Sequence, residues 1–465
     1  MAEIIKRQKA LSVNPLKASQ PMGGALACLG FDRAVPMLHG SQGCTAFAKV
    51  FFVRHFREPI PLQSTAMDQA SSVMGADENV IEGIRVIAEK SNPALIAVLT
   101  TGLAETQGCD VQRNLREFRE RYPQFNHVAV IAVNTPDFSG CVETGYAATV
   151  YELIRSLVPD ASQAGTLPGT RQRQVNVLVS PMLTPGDLEA LKELIERFNL
   201  RPVLIPDLSE SLDGSLTEDE FSPVTIGGTL ISELQTLGDA KATLVIGASL
   251  QKSGELLQQK TGVKTYYFPH LYGLQANDAL VMALSEVSEM PVPATIERQR
   301  SQLQDAMLDT HFMLGQLRVA LAADPDQLNA LTDLLQGMGA EVVVAVSAAP
   351  AAVLAGMSVE SVKIGDLEDL ELLAAERRAQ LVVGNSHAVA CAERLGVPVL
   401  RAGFPLYDVI GAYQKTWIGY RGTRQALFDL ANLVIHFSHE DIPVYRSAYA
   451  QKIDAISSPG SVSCH

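Results

Sequence analysis

Short runs of consecutive apolar residues punctuate the chain, and amphipathic stretches fill the intervals. Leu95–Leu99, Val128–Val133, Val175–Val179, Val203–Ile205 and Ala242–Ile246 have this pattern, followed by Val319–Ala322, Val342–Val346, Leu381–Val383 and Val397–Leu400. A strand apolar on both faces belongs inside a parallel sheet covered by helices. The intervening segments carry helical periodicity. Leu188, Leu191, Leu194 and Ile195 share one stripe after Thr184-Pro185-Gly186, and Leu328, Leu331, Leu334 and Leu335 share another after Pro325-Asp326. A long helix is predicted within residues 290–316. The alternation defines an α/β fold built from successive parallel sheets.

Two interruptions divide it. Residues 161–173 are loop-like and poor in large apolar groups, and Pro291 and Pro293 break the chain again near Glu289. The expected domains are 1–170, 171–290 and 291–465, with the final helices packing back. A length of 465 residues agrees with about three domains as a prior.

Composition narrows the function. The chain is 47% hydrophobic, 19% charged and carries a net charge of −14. That acidity argues against a nucleic-acid binder, which needs a basic face. Six cysteines without a CxxC pair indicate a reducing compartment, not a disulfide framework. The first residues have no continuous apolar core, and Val342–Met357, broken by Ser347 and Pro350, is too short to span a bilayer. The expected location is cytoplasmic, without a membrane.

Common chemical signatures are absent. No GxGxxG follows a strand, and HExxH and GxSxG do not occur. Gly247–Ser253 superficially resembles a phosphate loop, lacks the glycine before Lys252, and reads as an ordinary strand-to-helix turn. His436 and His439 are spaced to share a helical face near Glu440 and Asp441, and Cys464-His465 is a tail thiol.

The strongest chemical signal is Cys44 at the end of His39-Gly40-Ser41-Gln42-Gly43-Cys44. A glycine-containing loop here delivers a sulfur to the start of an apolar segment, Thr45–Val53, expected as a buried helix. A helix N-terminus favours a thiolate. Iron–sulfur clusters usually take four thiolates, so one cysteine is not enough; the alternative is a buried free cysteine. Lys49, Arg54, His55 and Arg57 follow, a basic group in an acidic chain, readable as a solvated helix face, as compensation for an anionic cluster or as a docking surface for an acidic partner.

Several segments together resemble the nitrogenase component 1 family. They are Asn14–Lys17, Gln20–Gly24, His39–Cys44, His55–Pro59, Thr100–Glu105, Asn134–Gly140, Phe268–Gly273, Gly384–His387, Phe404–Asp408 and Tyr420–Thr423. The resemblance runs in order over nearly the whole chain and implies three Rossmann-like domains. In that family the catalytic β subunit gives three cysteines to a large interfacial cluster. The first falls on Cys44; the second falls where this chain has Leu62, the third where it has Gly102. Cys141 falls where the catalytic subunit has a serine able to reach the cluster, and is either a reserve ligand or a structural cysteine.

The departures point to the family's cofactor-assembly branch, a β-like scaffold subunit. The resemblance implies a heterotetramer with an α-like subunit, two of each, and a [4Fe-4S] cluster at each subunit interface. Cys44 would be this chain's ligand, with Gly43 and Gly102 near the cluster and three cysteines from the partner. An iron–molybdenum cofactor precursor would be held mainly by the partner. Molybdenum and homocitrate would be inserted with the nitrogenase iron protein, an ATP-hydrolysing reductase docking near Lys49, Arg54 and Arg57. A precursor donor and the catalytic molybdenum–iron protein would bind transiently. No catalytic residue is expected in this chain, and lone His270 is expected to pack or hydrogen-bond. The competing readings are a catalytic nitrogenase β subunit, a related reductase subunit, and a generic α/β binder with Cys44 in its core.

Overall fold

The structure is a computed structural model and describes residues 1–7, 12–216 and 222–439. Its strands in chain order are β1 (Glu3–Ile5), β2 (Ala34–His39), β3 (Gln63–Ser64), β4 (Leu95–Thr100), β5 (Ala129–Val133), β6 (Arg171–Val179), β7 (Arg201–Ile205), β8 (Ala240–Ile246), β9 (Thr265–Phe268), β10 (Arg318–Ala323), β11 (Glu341–Ser347), β12 (Ser361–Ile364), β13 (Leu381–Gly384) and β14 (Val399–Arg401). They form three sheets, ordered β3-β2-β4-β5, β7-β6-β8-β9 and β1-β12-β11-β10-β13-β14. Every strand pair is parallel. The first strand, β1, pairs with β12 in the third sheet.

The apolar runs became strands of the three sheets, central and edge alike. All six residues of β4, and of β2 beside it, are buried, because helices cover both faces. The predicted helices form as Pro185–Glu196, Ala294–Leu314 and Pro325–Gly337. Among the described residues, no helix is long and apolar enough to cross a membrane.

In each sheet the strand order reverses once: between β2 and β4, between β6 and β8, and between β10 and β13. A crevice opens beyond the carboxyl ends at such a reversal, and α/β proteins bind ligands there. The second crevice is filled from within. Asp326, in the first turn of the helix following β10, enters the loops after β6 and β8. Its carboxylate accepts the Ser180 hydroxyl at 2.9 Å, the Ser249 hydroxyl at 2.6 Å and the Ser249 amide at 3.1 Å. The Asp326 amide in turn donates to Glu143 Oε2 at 2.7 Å, in the helix that follows β5. One buried aspartate therefore ties all three sheets together. Gly247, at φ +111°, admits it: a Cβ there would lie 2.7 Å from Asp326 Oδ2. The phosphate-loop-like stretch thus does cradle an acidic group, and that group is the chain's own side chain.

Burial pushes the neighbouring carboxyl of Asp324 up to about 6 and raises Glu143 well above its usual value. The folded protein then holds a proton that the unfolded chain has released, so stability falls as pH rises across that interval. Asp324→Asn removes the effect. Its stability relative to the parent should rise by about 2–3 kcal/mol between pH 4 and pH 6 and then level off. Urea unfolding across that range measures it; parallel pH curves for parent and variant would refute it.

Candidate functional site

At the first crevice, between β2 and β4, the loop after β2 carries Cys44. The loop is fixed from several sides. Thr101 donates its amide and hydroxyl to His39 O at 3.2 and 2.9 Å. Gly40 O accepts the Met67 amide at 2.9 Å and the Ser64 hydroxyl at 3.2 Å, and the Gly40 amide donates to Thr65 Oγ at 3.2 Å. Thr65 Oγ also lies 2.9 Å from His39 Nδ1. His39 is fully buried, and burial lowers its imidazole to about 4, so it is neutral at ordinary pH. The loops after β2, β3 and β4 are thus one hydrogen-bonded unit.

The two glycines before Cys44 have different causes. A Cβ on Gly40 would stand 2.5 Å from the Thr101 hydroxyl, so the crossing of the β2 and β4 loops requires glycine. A Cβ on Gly43 would meet nothing nearer than Ser41 Oγ at 3.8 Å, so nothing within this chain requires glycine there.

Cys44 lies in the first turn of the helix Gln42–Phe56, half-exposed and touching the core with one side. The sequence pattern predicted a buried helix over this run, and the structure corrects that. Thr45, Ala48, Phe52, His55 and Phe56 face inward, while Phe47, Val50 and Val53 are 65%, 52% and 42% exposed. The inward face mounts the helix on the third domain: Phe52 and Phe56 pack on Phe404, and His55 Nδ1 accepts the Leu406 amide at 2.8 Å. Burial lowers His55 to about 4, which keeps Nδ1 an acceptor. Among the described residues, no element covers the outward stripe. The segments leaving the other strands at this end of the sheet also expose large apolar side chains: Val73 and Met74 after β3, Leu103 after β4, Phe138 after β5. An apolar surface of this extent marks an interaction face. Period alone could not assign it, because the helix is apolar on both sides.

The remaining sequence-derived positions separate clearly. Leu62 is 1% exposed and belongs to the core. Gly102 opens the helix Gly102–Gln107 beside Phe138, and its amide donates to Asp137. Cys141 is fully buried as the N-cap of the helix Val142–Leu157. Its thiol reaches the Asp324 carboxyl, and burial raises it well above the usual thiol range. Cys28 and Cys391 are buried, and burial beside Asp77 pushes Cys109 up to about 12. His270 pairs with Asp333 at 2.8 Å. Arg54 stacks on the Tyr407 ring, 4.2 Å from its centroid, and Arg57 donates to Tyr407 O at 3.3 Å; Lys49 is half-buried on the same helix. His436 is exposed, whereas the side chain of His439, Glu440, Asp441 and the Cys464-His465 tail lie outside the described residues.

Among the described residues no three His, Cys, Asp or Glu side chains converge as a metal site. The donor set therefore does not fit a cluster closed within this chain. It does fit one corner of a shared cluster: a single accessible sulfur at a helix N-terminus, on the rim of an uncovered apolar face.

The fold and this half-site define a class. Residues 19–435 match the nitrogenase component 1 type oxidoreductase family, and the chain belongs to it. The similarity is also to particular members. The chain is 44% identical to the nitrogenase iron-molybdenum cofactor biosynthesis protein NifN of Klebsiella pneumoniae, over 99% of each chain. It is 45% identical to NifN of Bradyrhizobium diazoefficiens, over 95% of this chain and 94% of that one. A solved structure described as nitrogenase Cp1 at pH 6.5 matches with a TM-score of 0.86 and 30% identity, covering 96% of this chain and 98% of that one.

Substituting the two glycines separates their roles. Gly40→Ala forces Thr101 aside and should destabilise the chain by about 1–3 kcal/mol. Gly43→Ala should leave it unchanged or up to about 1 kcal/mol more stable, because alanine is the better helix former. Chemical denaturation of the two variants checks the contrast, and equal losses would contradict it.

Proposed function

We infer that this chain is the β-like subunit of a scaffold on which the nitrogenase iron–molybdenum cofactor is matured from an all-iron precursor before transfer to the catalytic protein. The observation that carries the reading is the isolation of Cys44. Among the described residues only Cys44 and Cys109 have partly exposed thiols, and Cys109 is engaged by Asp77, while the family's two further ligand positions hold a core leucine, Leu62, and a glycine, Gly102. The similarity to NifN proteins supports the same reading. A catalytic β subunit needs donors at both of those positions, and neither leucine nor glycine can ligate iron.

In this reading a NifE-like α subunit covers the apolar face, two copies of each chain form the heterotetramer, and the partner's three cysteines join Cys44 on a [4Fe-4S] cluster. When bound, that cluster supplies one-electron redox chemistry. This chain's own part is positional. The Thr101, Ser64 and Thr65 hydrogen bonds hold the Cys44 loop, Phe52 and Phe56 hold its helix, and Gly43 leaves room for an approaching group. Molybdenum, homocitrate and the precursor are cargo, held mainly by the partner. The iron protein docks near Lys49, Arg54 and Arg57. No residue of this chain is assigned a catalytic role.

The test is the purified heterotetramer with Cys44→Ala. Iron content and the four-iron EPR signal should fall to near background while both subunits remain folded. An undiminished signal would remove Cys44 as a ligand. Phe47→Asp on the outward stripe should weaken co-purification of the α-like subunit at least tenfold, since an unpaired charge would be buried in the contact. Unchanged co-purification would place the partner on another face.

A further inference from the structure

We propose that Ser41 is a tuning residue for the cluster, its hydroxyl donating a hydrogen bond to the Cys44 sulfur. The proposal rests on the reading of Cys44 as a ligand. Ser41 is the N-cap of the helix Gln42–Phe56, with extended backbone at φ −71° and ψ 157°. A serine in this position ordinarily turns its oxygen onto an amide of the first helical turn. Here no such bond forms, and Ser41 Oγ lies 3.5 Å from Cys44 Sγ.

This orientation has a chemical consequence. A metal-bound thiolate has no proton to give, so between this oxygen and this sulfur only the hydroxyl can donate. A hydrogen bond to a ligating sulfur favours the more negative state of the cluster and raises its reduction potential. The free amides of the first turn act in the same direction through the helix dipole. Ser41 therefore acts through Cys44, as a positioning and tuning group and not as a ligand. The loop bonds that fix Gly40 hold it within reach.

The experiment is a redox titration of the heterotetramer followed by EPR, comparing the parent with Ser41→Ala and Ser41→Thr. Ser41→Ala should bind the same amount of iron, melt at the same temperature and show a more negative midpoint potential. Ser41→Thr keeps the hydroxyl and should restore the parent midpoint. An unchanged midpoint in Ser41→Ala overturns the proposal. So does an equal shift in both variants, which would assign the effect to packing, or loss of iron from Ser41→Ala, which would assign Ser41 to assembly. Failure of the underlying reading looks different: iron would then persist in Cys44→Ala whatever Ser41 does.

Discussion

The structure depends on one buried carboxylate. Asp326 receives donors from two loops of the second domain while its own amide is bound by Glu143 of the first. A buried charge must be paired or fully hydrogen-bonded, and leaving any of these donors without a partner costs about 1–3 kcal/mol. The three sheets cannot drift apart without paying that penalty more than once. The relative orientation of the domains is therefore set at the junction of their carboxyl ends, the place where this kind of sheet otherwise binds ligands.

That junction decides which crevice can do chemistry. The second crevice is filled by Asp326, and the start of the helix after β5 is turned inward, with Cys141 on Asp324 and Glu143 on Asp326. The crevice between β2 and β4 is the one whose loop carries Cys44. The third domain supports it indirectly, because Phe404 and Leu406 hold the far end of the Cys44 helix. The sulfur thus sits on a helix clamped at its base by one domain and at its start by another.

Much of this was legible in the chain. Strands buried on both faces announce themselves as apolar runs, and β4, β8, β10 and β11 lie where the pattern put them. The pattern missed β2, because Pro36 interrupts the run and His39 ends it, and it missed the short edge strands β1, β3 and β9 and the short β12 between β1 and β11. Cys44 was legible as chemistry, since its motif combines a glycine loop, a thiol and a helix start. Its exposed stripe was not: Phe47, Val50 and Val53 have the same composition as a core, and only the folded neighbours reveal which face is left uncovered. Likewise Gly40 and Gly43 look alike in the sequence and differ only through what stands beside them, the Thr101 side chain in one case and open space in the other.

A half-site has thermodynamic consequences that a complete site lacks. A cluster whose ligands come from two chains binds the assembly and neither chain alone, so cluster binding and subunit association stabilise each other by mass action. The apolar face acts in the same sense. Exposed, Phe47, Val50, Val53, Leu103 and Phe138 are in unfavourable contact with water, and covering them releases roughly 25 cal/mol for each Å² buried. In the proposed reading, donors at Leu62 and Gly102 would let a chain of this fold hold more of the cluster by itself. In that reading their absence keeps the iron–sulfur content conditional on the partner. Under the proposed function the lack of two donors is a gain in control, because there the sulfur at Cys44 is completed only when the α-like chain is in place.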